Sequence, residues 1–232
     1  MQPTSRHLLR TLRVPIDRQL ALNSLRKFHQ QQRTLDEIVD KALDFGGHGF
    51  FRVTTTQNRS EIMGLTQRVA ALQPANILEI GTFRGGTMFI WSQLATRRVI
   101  SCDISDMKHQ RSLYERFAPP TSNCDVRLVS GNSHEPDFAA RIEAMFEGEP
   151  VDFLFIDGDH TEVGVRQDYE MYRHLVRPGG LIAFHDIAEN QPLPENQVYR
   201  FWKTLRPTIN FEEFIDHQNQ CGFGIGIEKI AG

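Results

Sequence analysis

Two apolar segments of this chain end in side chains that could do chemistry. The segments F-L-F-I-D-G-D-H and L-I-A-F-H-D-I close with Asp157, Asp159, His160, His185 and Asp186. Carboxylates and imidazoles can hold a divalent cation, and an imidazole can also take up a proton near neutral pH. The shared ending indicates that the two segments contribute to one site.

A glycine-rich turn follows another apolar segment, in the sequence L-E-I-G-T-F-R-G-G-T. Glycines at the start of a helix let a ligand approach the backbone amides. The dinucleotide fingerprint requires a glycine at the position of Phe83, where a pyrophosphate would meet a side chain. The turn therefore differs from a dinucleotide-binding turn, and its neighbours have to show which ligand it serves.

Two further polar positions indicate a ribose and an adenine. Asp103 closes the next apolar segment 24 residues after Glu79, where a carboxylate can bind both hydroxyls of a ribose. The sequence S-G-N-S at 130–133 closes a third segment with small polar groups that suit an adenine edge. These positions predict a cofactor that carries an adenosine.

The elements that must position these groups alternate along the chain. Helical stretches separate five predicted strands, and a predicted antiparallel hairpin ends the sequence. Such alternation predicts an α/β fold: a Rossmann-like, doubly wound, mostly parallel seven-stranded sheet with a C-terminal antiparallel hairpin and a helical N-terminal extension. The carboxyl ends of the parallel strands should share one rim. The predicted strands are 76–80, 98–103, 126–131, 151–157 and 179–186, followed by the hairpin 211–216 and 223–230.

The domain division places a helical N-terminal arm and a cofactor-covering loop at 1–57, before a single domain at 58–232. Apolar spacing predicts one helix over 17–44, and Asn58 with Glu61 forms a capping-box pattern that opens the next helix. Residues 1–33 contain seven Lys or Arg and one acid. This start is either a targeting or membrane-surface segment or a solvated arm that packs on the domain or a partner subunit, and we favour the arm.

The composition is that of an ordinary globular protein. The chain has 232 residues, a net charge of −3 and a pI of about 6.3, so nothing indicates a nucleic-acid partner. Its three cysteines lack metal-site spacing and suit a reducing compartment. No apolar stretch reaches the ~18 residues of a membrane span. We therefore expect a cytoplasmic protein without an integral membrane segment.

The motifs resemble those of class I S-adenosylmethionine-dependent methyltransferases. The likeness rests on L-E-I-G-T-F-R-G-G-T, F-I-D-G-D-H-T, R-P-G-G-L-I-A-F-H-D-I and the closing G-I-G-I, and runs from about Asn58 to Ile230. In detail the chain is similar to the cephalosporin-hydroxylase-like and sugar O-methyltransferase branch (methyltransferase family 24-like), and more distantly to catechol O-methyltransferase. The cofactor contacts that this resemblance implies are Glu79, Gly81, Thr82, Gly85, Gly86, Thr87, Asp103, Asn132, Ser133 and Asp157.

The resemblance also implies a metal and a base. Acids at the positions of Asp157 and Asp186 bind a metal in the similar families, which suggests Mg²⁺ or another divalent cation. The third family ligand is a carboxylate or amide, whereas His185 stands here, and an imidazole shifts preference toward Mn²⁺, Fe²⁺ or Zn²⁺. His160 falls where the catechol-type enzymes place a lysine base. Asp159, with Glu162 three residues later, is most simply a helix cap.

These inferences lead to an S-adenosylmethionine-dependent O-methyltransferase, assisted by a divalent metal. Its acceptor would be a hydroxyl of a small molecule or sugar, covered by the proline- and asparagine-rich loop 187–197. The alternatives are a nicotinamide-dependent protein, against which Phe83 argues, and a non-catalytic binding protein on the same fold. By analogy with similar enzymes, the N-terminal helices are expected to mediate a homo-oligomer.

Overall fold

A mixed seven-stranded sheet forms the centre of the computed structural model, which describes residues 13–232. The strand order is β3-β2-β1-β4-β5-β7-β6; β1 to β5 are parallel, and β7 runs antiparallel to both of its neighbours. This topology confirms the predicted fold class. In chain order the strands are β1 (Asn76–Ile80), β2 (Arg98–Asp103), β3 (Asp125–Ser130), β4 (Val151–Ile156), β5 (Val176–His185), β6 (Phe211–Phe214) and β7 (Ile225–Lys229).

Helices cover both faces of the sheet. Apolar residues of α1 to α5 form one buried cluster against it, and those of α6 to α8 form a second cluster on the opposite face. Within the described residues, none of the helices is both long and apolar enough to cross a bilayer. The helices are α1 (Val14–Phe28), α2 (Leu35–Leu43), α3 (Arg59–Leu72), α4 (Gly86–Leu94), α5 (Lys108–Tyr114), α6 (Pro136–Ala144), α7 (Glu162–Tyr172) and α8 (Val198–Leu205).

The N-terminal arm contains two helices where the sequence predicted one over 17–44. Thr34 accepts a hydrogen bond from the Glu37 amide, and Glu37 accepts one from the Thr34 amide, so a capping box starts α2. The buried side chains of Leu25 and Phe28 pack α1 against the domain. Residues 1–12 of the predicted arm lie outside the described part of the chain. The homo-oligomer expected through these helices stays a prediction.

Two predicted capping boxes are wrong in detail. Asn58 does cap α3, through the Ser60 amide, but the buried Glu61 accepts from the amide of Gly224 at 2.8 Å and so anchors the loop before β7. At α7 the cap is Thr161, which accepts from the Gly164 amide, because the chain makes one more turn after β4. The carboxylate of Asp159 accepts from the Thr161 amide within that turn.

Candidate active site

A cavity of about 800 Å³ opens at the carboxyl edge of the sheet, around the ends of β1, β2, β4 and β5. Strand order reverses between β1 and β4, the position where α/β sheets bind ligands. Its volume lies in the upper part of the range for small-molecule sites. Eleven of the thirteen predicted cofactor, metal and base residues line it: Gly81, Thr82, Gly86, Thr87, Asp103, Asn132, Ser133, Asp157, His160, His185 and Asp186.

Glu79 and Gly85 lie behind the cavity wall. Glu79 is fully buried in β1, where its carboxylate accepts from the Trp91 indole at 2.9 Å and from the Ser101 hydroxyl. Gly85 has a φ of +72°, and a Cβ there would meet the Tyr114 ring at 2.5 Å. Both residues therefore support the glycine turn, and the cofactor contacts that the resemblance implies for them stay predictions.

Burial raises the pKa of Glu79 to about 8 from 4.5, against the hydrogen bonds that favour its charged form. Because the folded state holds this proton more tightly, the free energy of unfolding should fall as pH rises from 4.5 to about 8. Glu79→Gln keeps an acceptor for Trp91 but cannot titrate. We therefore expect this variant to lose the decrease in the free energy of unfolding that Glu79 causes over this pH range. Urea unfolding of the ligand-free protein between about pH 5 and pH 8.5 measures it, with the exposed Glu170→Gln as control; a pH-independent difference between wild type and Glu79→Gln contradicts the expectation.

Asp103 ends β2 with an oriented carboxylate. One oxygen accepts from the Phe83 amide and the other from the Ser105 amide, each at 2.8 Å. Each carboxylate oxygen can accept about two hydrogen bonds, so both keep capacity for a ligand. The two backbone donors hold the carboxylate at the cavity wall, where it can bind a diol.

The turn after β3 forms a wall of small residues. The side-chain oxygen of Asn132 accepts from the His134 amide at 3.0 Å, which closes a tight turn. Ser133 is held through its carbonyl, which accepts from the Tyr172 hydroxyl at 2.8 Å. The turn can therefore present backbone and small polar groups to a flat ring.

Four side chains converge at the ends of β4 and β5. Asp157, His160, His185 and Asp186 each place one ligand atom within 4.8 Å of the others. His185 Nδ1 lies 3.0 Å from Asp157 Oδ1, and His160 Nε2 lies 3.3 Å from Asp186 Oδ2. The structure thus brings together the two sequence segments that end in acid and imidazole groups.

The four groups shift one another's protonation. Burial opposes ionisation of Asp157, but His185 and His160 outweigh it and lower the pKa of Asp157 to about 2. Burial also opposes the charged form of His185, yet Asp157 and Asp186 raise its pKa to about 9. The hydrogen bond with Asp157 raises the pKa of His160, again against burial. The site therefore favours positive charge between two carboxylates.

Strained backbone supports this part of the wall. Asp186 has a φ of +63° and Phe223 a φ of +61°, in the left-handed region that side chains rarely adopt. The Phe223 amide donates to Asp186 Oδ1 at 3.2 Å, and the Asn196 amide group donates to Oδ2 at 2.5 Å. These contacts fix the Asp186 carboxylate at the end of β5.

Sequence reasoning missed several wall residues. Gln57 donates from Nε2 to Asp157 Oδ2 at 2.9 Å, although 100 positions separate the two residues. Thr54–Thr56 lies beside Gln57 within the predicted cofactor-covering loop. Asn196 and Phe223 come from the predicted lid and from the loop before β7. Asn196 lies in a loop that the sequence marked as a lid, whereas no motif or spacing marks Gln57 or Phe223.

Comparison with known proteins agrees with this architecture. A family model described as a methyltransferase domain matches residues 78–187, from the glycine turn to the end of β5. The uncharacterized protein R132 of Acanthamoeba polyphaga mimivirus is 28% identical over 138 residues. That match covers 57% of this chain and 57% of the relative, so the chain spans little more than half of the relative's length.

Two solved methyltransferases share the fold. The O-methyltransferase TomG of Streptomyces achromogenes, in complex with SAM, aligns with a TM-score of 0.57 at 16% identity, over 87% of this chain and 92% of TomG. MycE methyltransferase, in complex with Mg, SAH and mycinamycin VI, aligns with a TM-score of 0.58 at 19% identity, over 87% of this chain and 54% of MycE. The domain match identifies residues 78–187 as a methyltransferase domain, and the two solved structures, together with the sheet order, show that the chain has the Rossmann-like methyltransferase fold.

Proposed function

We propose that this protein transfers a methyl group from S-adenosylmethionine to a hydroxyl of a small molecule or sugar. The observation that carries the proposal is the single cavity that joins the glycine turn to the four-residue cluster Asp157, His160, His185 and Asp186. A methyl donor held on the glycine turn would face an acceptor held at that cluster. The O-methyltransferase TomG and the methyltransferase MycE, which share this fold, support the reaction type.

The cofactor half of the cavity fits the two ends of S-adenosylmethionine. The Asp103 carboxylate would bind the ribose hydroxyls, with the adenine in the turn of Asn132 and Ser133. Gly81, Thr82, Gly86 and Thr87 line the wall towards the start of α4. Helix α4 has no side-chain cap, so its first amides can bind the carboxylate of the amino-acid end.

The cluster has a donor set that fits a divalent cation. Asp157, His185 and Asp186 are the proposed ligands, because they lie deeper in the wall than the half-exposed His160. Two carboxylates and an imidazole suit Mn²⁺ or Fe²⁺ as well as Mg²⁺, and Mg is present in the MycE complex. A bound cation would supply charge that lowers the pKa of the acceptor hydroxyl and orients its oxygen.

His160 is the proposed general base. Its side chain is 42% exposed, so it can reach an acceptor while its Nε2 stays 3.4 Å from Asp157. The acceptor oxygen would form a bond to the methyl carbon as the bond from that carbon to sulfur breaks, which leaves S-adenosylhomocysteine. The hydroxyl proton would pass to the neutral imidazole.

Loop 187–197 forms the acceptor side of the cavity. Gln191, Pro192, Leu193 and Asn196 line the wall there, and Leu193 is exposed at the rim. The Gln191 amide group donates to the carbonyls of Asp186 and Ala188, which ties the loop to the end of β5. Among the described residues, neither lysine nor arginine lines the cavity. The wall therefore suits a neutral hydroxylated acceptor.

Isothermal titration with S-adenosylhomocysteine tests the cofactor assignment. We expect the wild-type protein to bind S-adenosylhomocysteine. Asp103→Asn should lower the affinity about 100-fold, because the amide nitrogen would oppose a backbone donor and lose a ribose contact. The affinity of Asp103→Asn for 5′-methylthioadenosine, which keeps the ribose, should fall to the same extent. The exposed Asp137→Asn in α6 serves as the charge-matched control. Absence of binding by wild type at millimolar ligand would refute the proposed function.

A further inference from the structure

Gln57 has one amide atom in use and one without a partner. The side chain is 8% exposed and lines the cavity. Gln57 Nε2 donates to Asp157 Oδ2 at 2.9 Å, the orientation in which the carboxylate oxygen accepts from the amide nitrogen. The remaining atom is the acceptor Oε1, which is buried and has no hydrogen-bond partner within the described residues.

A buried amide oxygen without a donor is costly, and such groups in folded proteins are rare. A donor from a ligand would remove this cost at a residue that already lines the binding cavity. The missing partner must carry N–H or O–H groups. Carbonyl oxygens bind charged N–H donors more strongly than neutral ones.

The surroundings of Gln57 place it on the cofactor side of Asp157. The imidazoles of His185 and His160 lie on Oδ1 of Asp157, whereas Gln57 lies on Oδ2. Gln57 thus contacts one oxygen of the Asp157 carboxylate, and the two imidazoles contact the other.

The segment before Gln57 also borders the glycine turn. Thr54 forms a parallel bridge with Gly85, and a Cβ on Gly86 would come within 2.5 Å of the Thr55 amide nitrogen. The segment that leads into Gln57 therefore lies beside the start of α4, where the amino-acid end of the cofactor would bind, and Gln57 lines the same cavity.

We propose that Gln57 Oε1 accepts a hydrogen bond from the ammonium group of the cofactor's amino-acid end. This inference rests on the proposed function, because it takes S-adenosylmethionine as the cofactor. One amide would then contact both the cofactor ammonium and Asp157. Gln57 is a binding residue in this assignment, and it also positions Asp157 for the neighbouring cluster.

Three ligands, titrated by calorimetry in buffer with EDTA, test the assignment. S-adenosylhomocysteine carries the ammonium, its deaminated analogue has hydrogen in place of the amino group, and 5′-methylthioadenosine lacks the whole amino-acid end. For Gln57→Met we expect the dissociation constant of S-adenosylhomocysteine to rise about 10- to 100-fold. Those of the other two ligands should change less than about twofold. EDTA excludes an effect through a metal.

Gln110→Met is the matched control, because Gln110 also has a buried Oε1 without a partner but lies outside the cavity wall. Its affinities for all three ligands should equal those of wild type. Equal S-adenosylhomocysteine binding by wild type and Gln57→Met would overturn the assignment, as would equal weakening of S-adenosylhomocysteine and its deaminated analogue. Failure of wild type to bind both S-adenosylhomocysteine and 5′-methylthioadenosine would instead refute the proposed function.

Discussion

Asp157→Asn is expected to lower the rate of methyl transfer about 1,000-fold, because charge stabilisation at such a site lowers the activation barrier by several kcal/mol. The substitution keeps the volume of the side chain but removes one of the two carboxylates that face His185. An amide nitrogen at Oδ2 would also oppose the Gln57 donor. The dissociation constant for Mn²⁺, measured by electron paramagnetic resonance of the free ion, should rise about 100-fold.

The Mn²⁺ titration needs no acceptor, and rates follow with any hydroxylated acceptor that a screen identifies. Asp137→Asn, exposed in α6, is the control for a general effect of lost charge. Because residues of one cluster act together, the double variant Asp157→Asn, Asp186→Asn should lose little more methyl-transfer rate and Mn²⁺ affinity than either single variant. Unchanged Mn²⁺ affinity in Asp157→Asn would remove this residue from the proposed ligands.

Chelation of divalent cations is the second large effect that we expect. EDTA should lower turnover at least about 100-fold, since the acceptor hydroxyl would lose the charge that favours its deprotonation. Mn²⁺ should restore turnover at a lower concentration than Mg²⁺, because imidazole is among the donors. Binding of S-adenosylhomocysteine should persist in EDTA, since Asp103 and the glycine turn need no metal.

The pH dependence of this restoration has a defined sign. A cation must displace the proton of His185, whose pKa is raised to about 9 by Asp157 and Asp186 against the effect of burial. Metal affinity should therefore increase as pH rises towards that value. EDTA already saturated with Mg²⁺ is the control for an effect of the chelator itself. Undiminished turnover in metal-free EDTA would exclude a metal from the reaction.

Local patterns in the sequence were enough to predict the fold. Apolar runs that end in glycine or acid located the parallel strands to within a few residues, and the final polar turn located the antiparallel hairpin. Helix ends were less certain, because several residues can cap the same turn. Thr34 starts a second helix where the sequence had predicted one continuous helix. Thr161 caps α7, where the sequence had predicted Asp159 as the cap.

The sequence by itself determined that Asp103, Asp157 and Asp186 would share one rim, because parallel strands end at the same edge of a sheet. Only the tertiary structure decided which groups each carboxylate contacts. Gln57 reaches Asp157 across 100 positions because the chain before α3 folds over the glycine turn. Such contacts depend on how loops pack between elements, and neither the periodicity of apolar residues nor the spacing of local motifs predicts that packing.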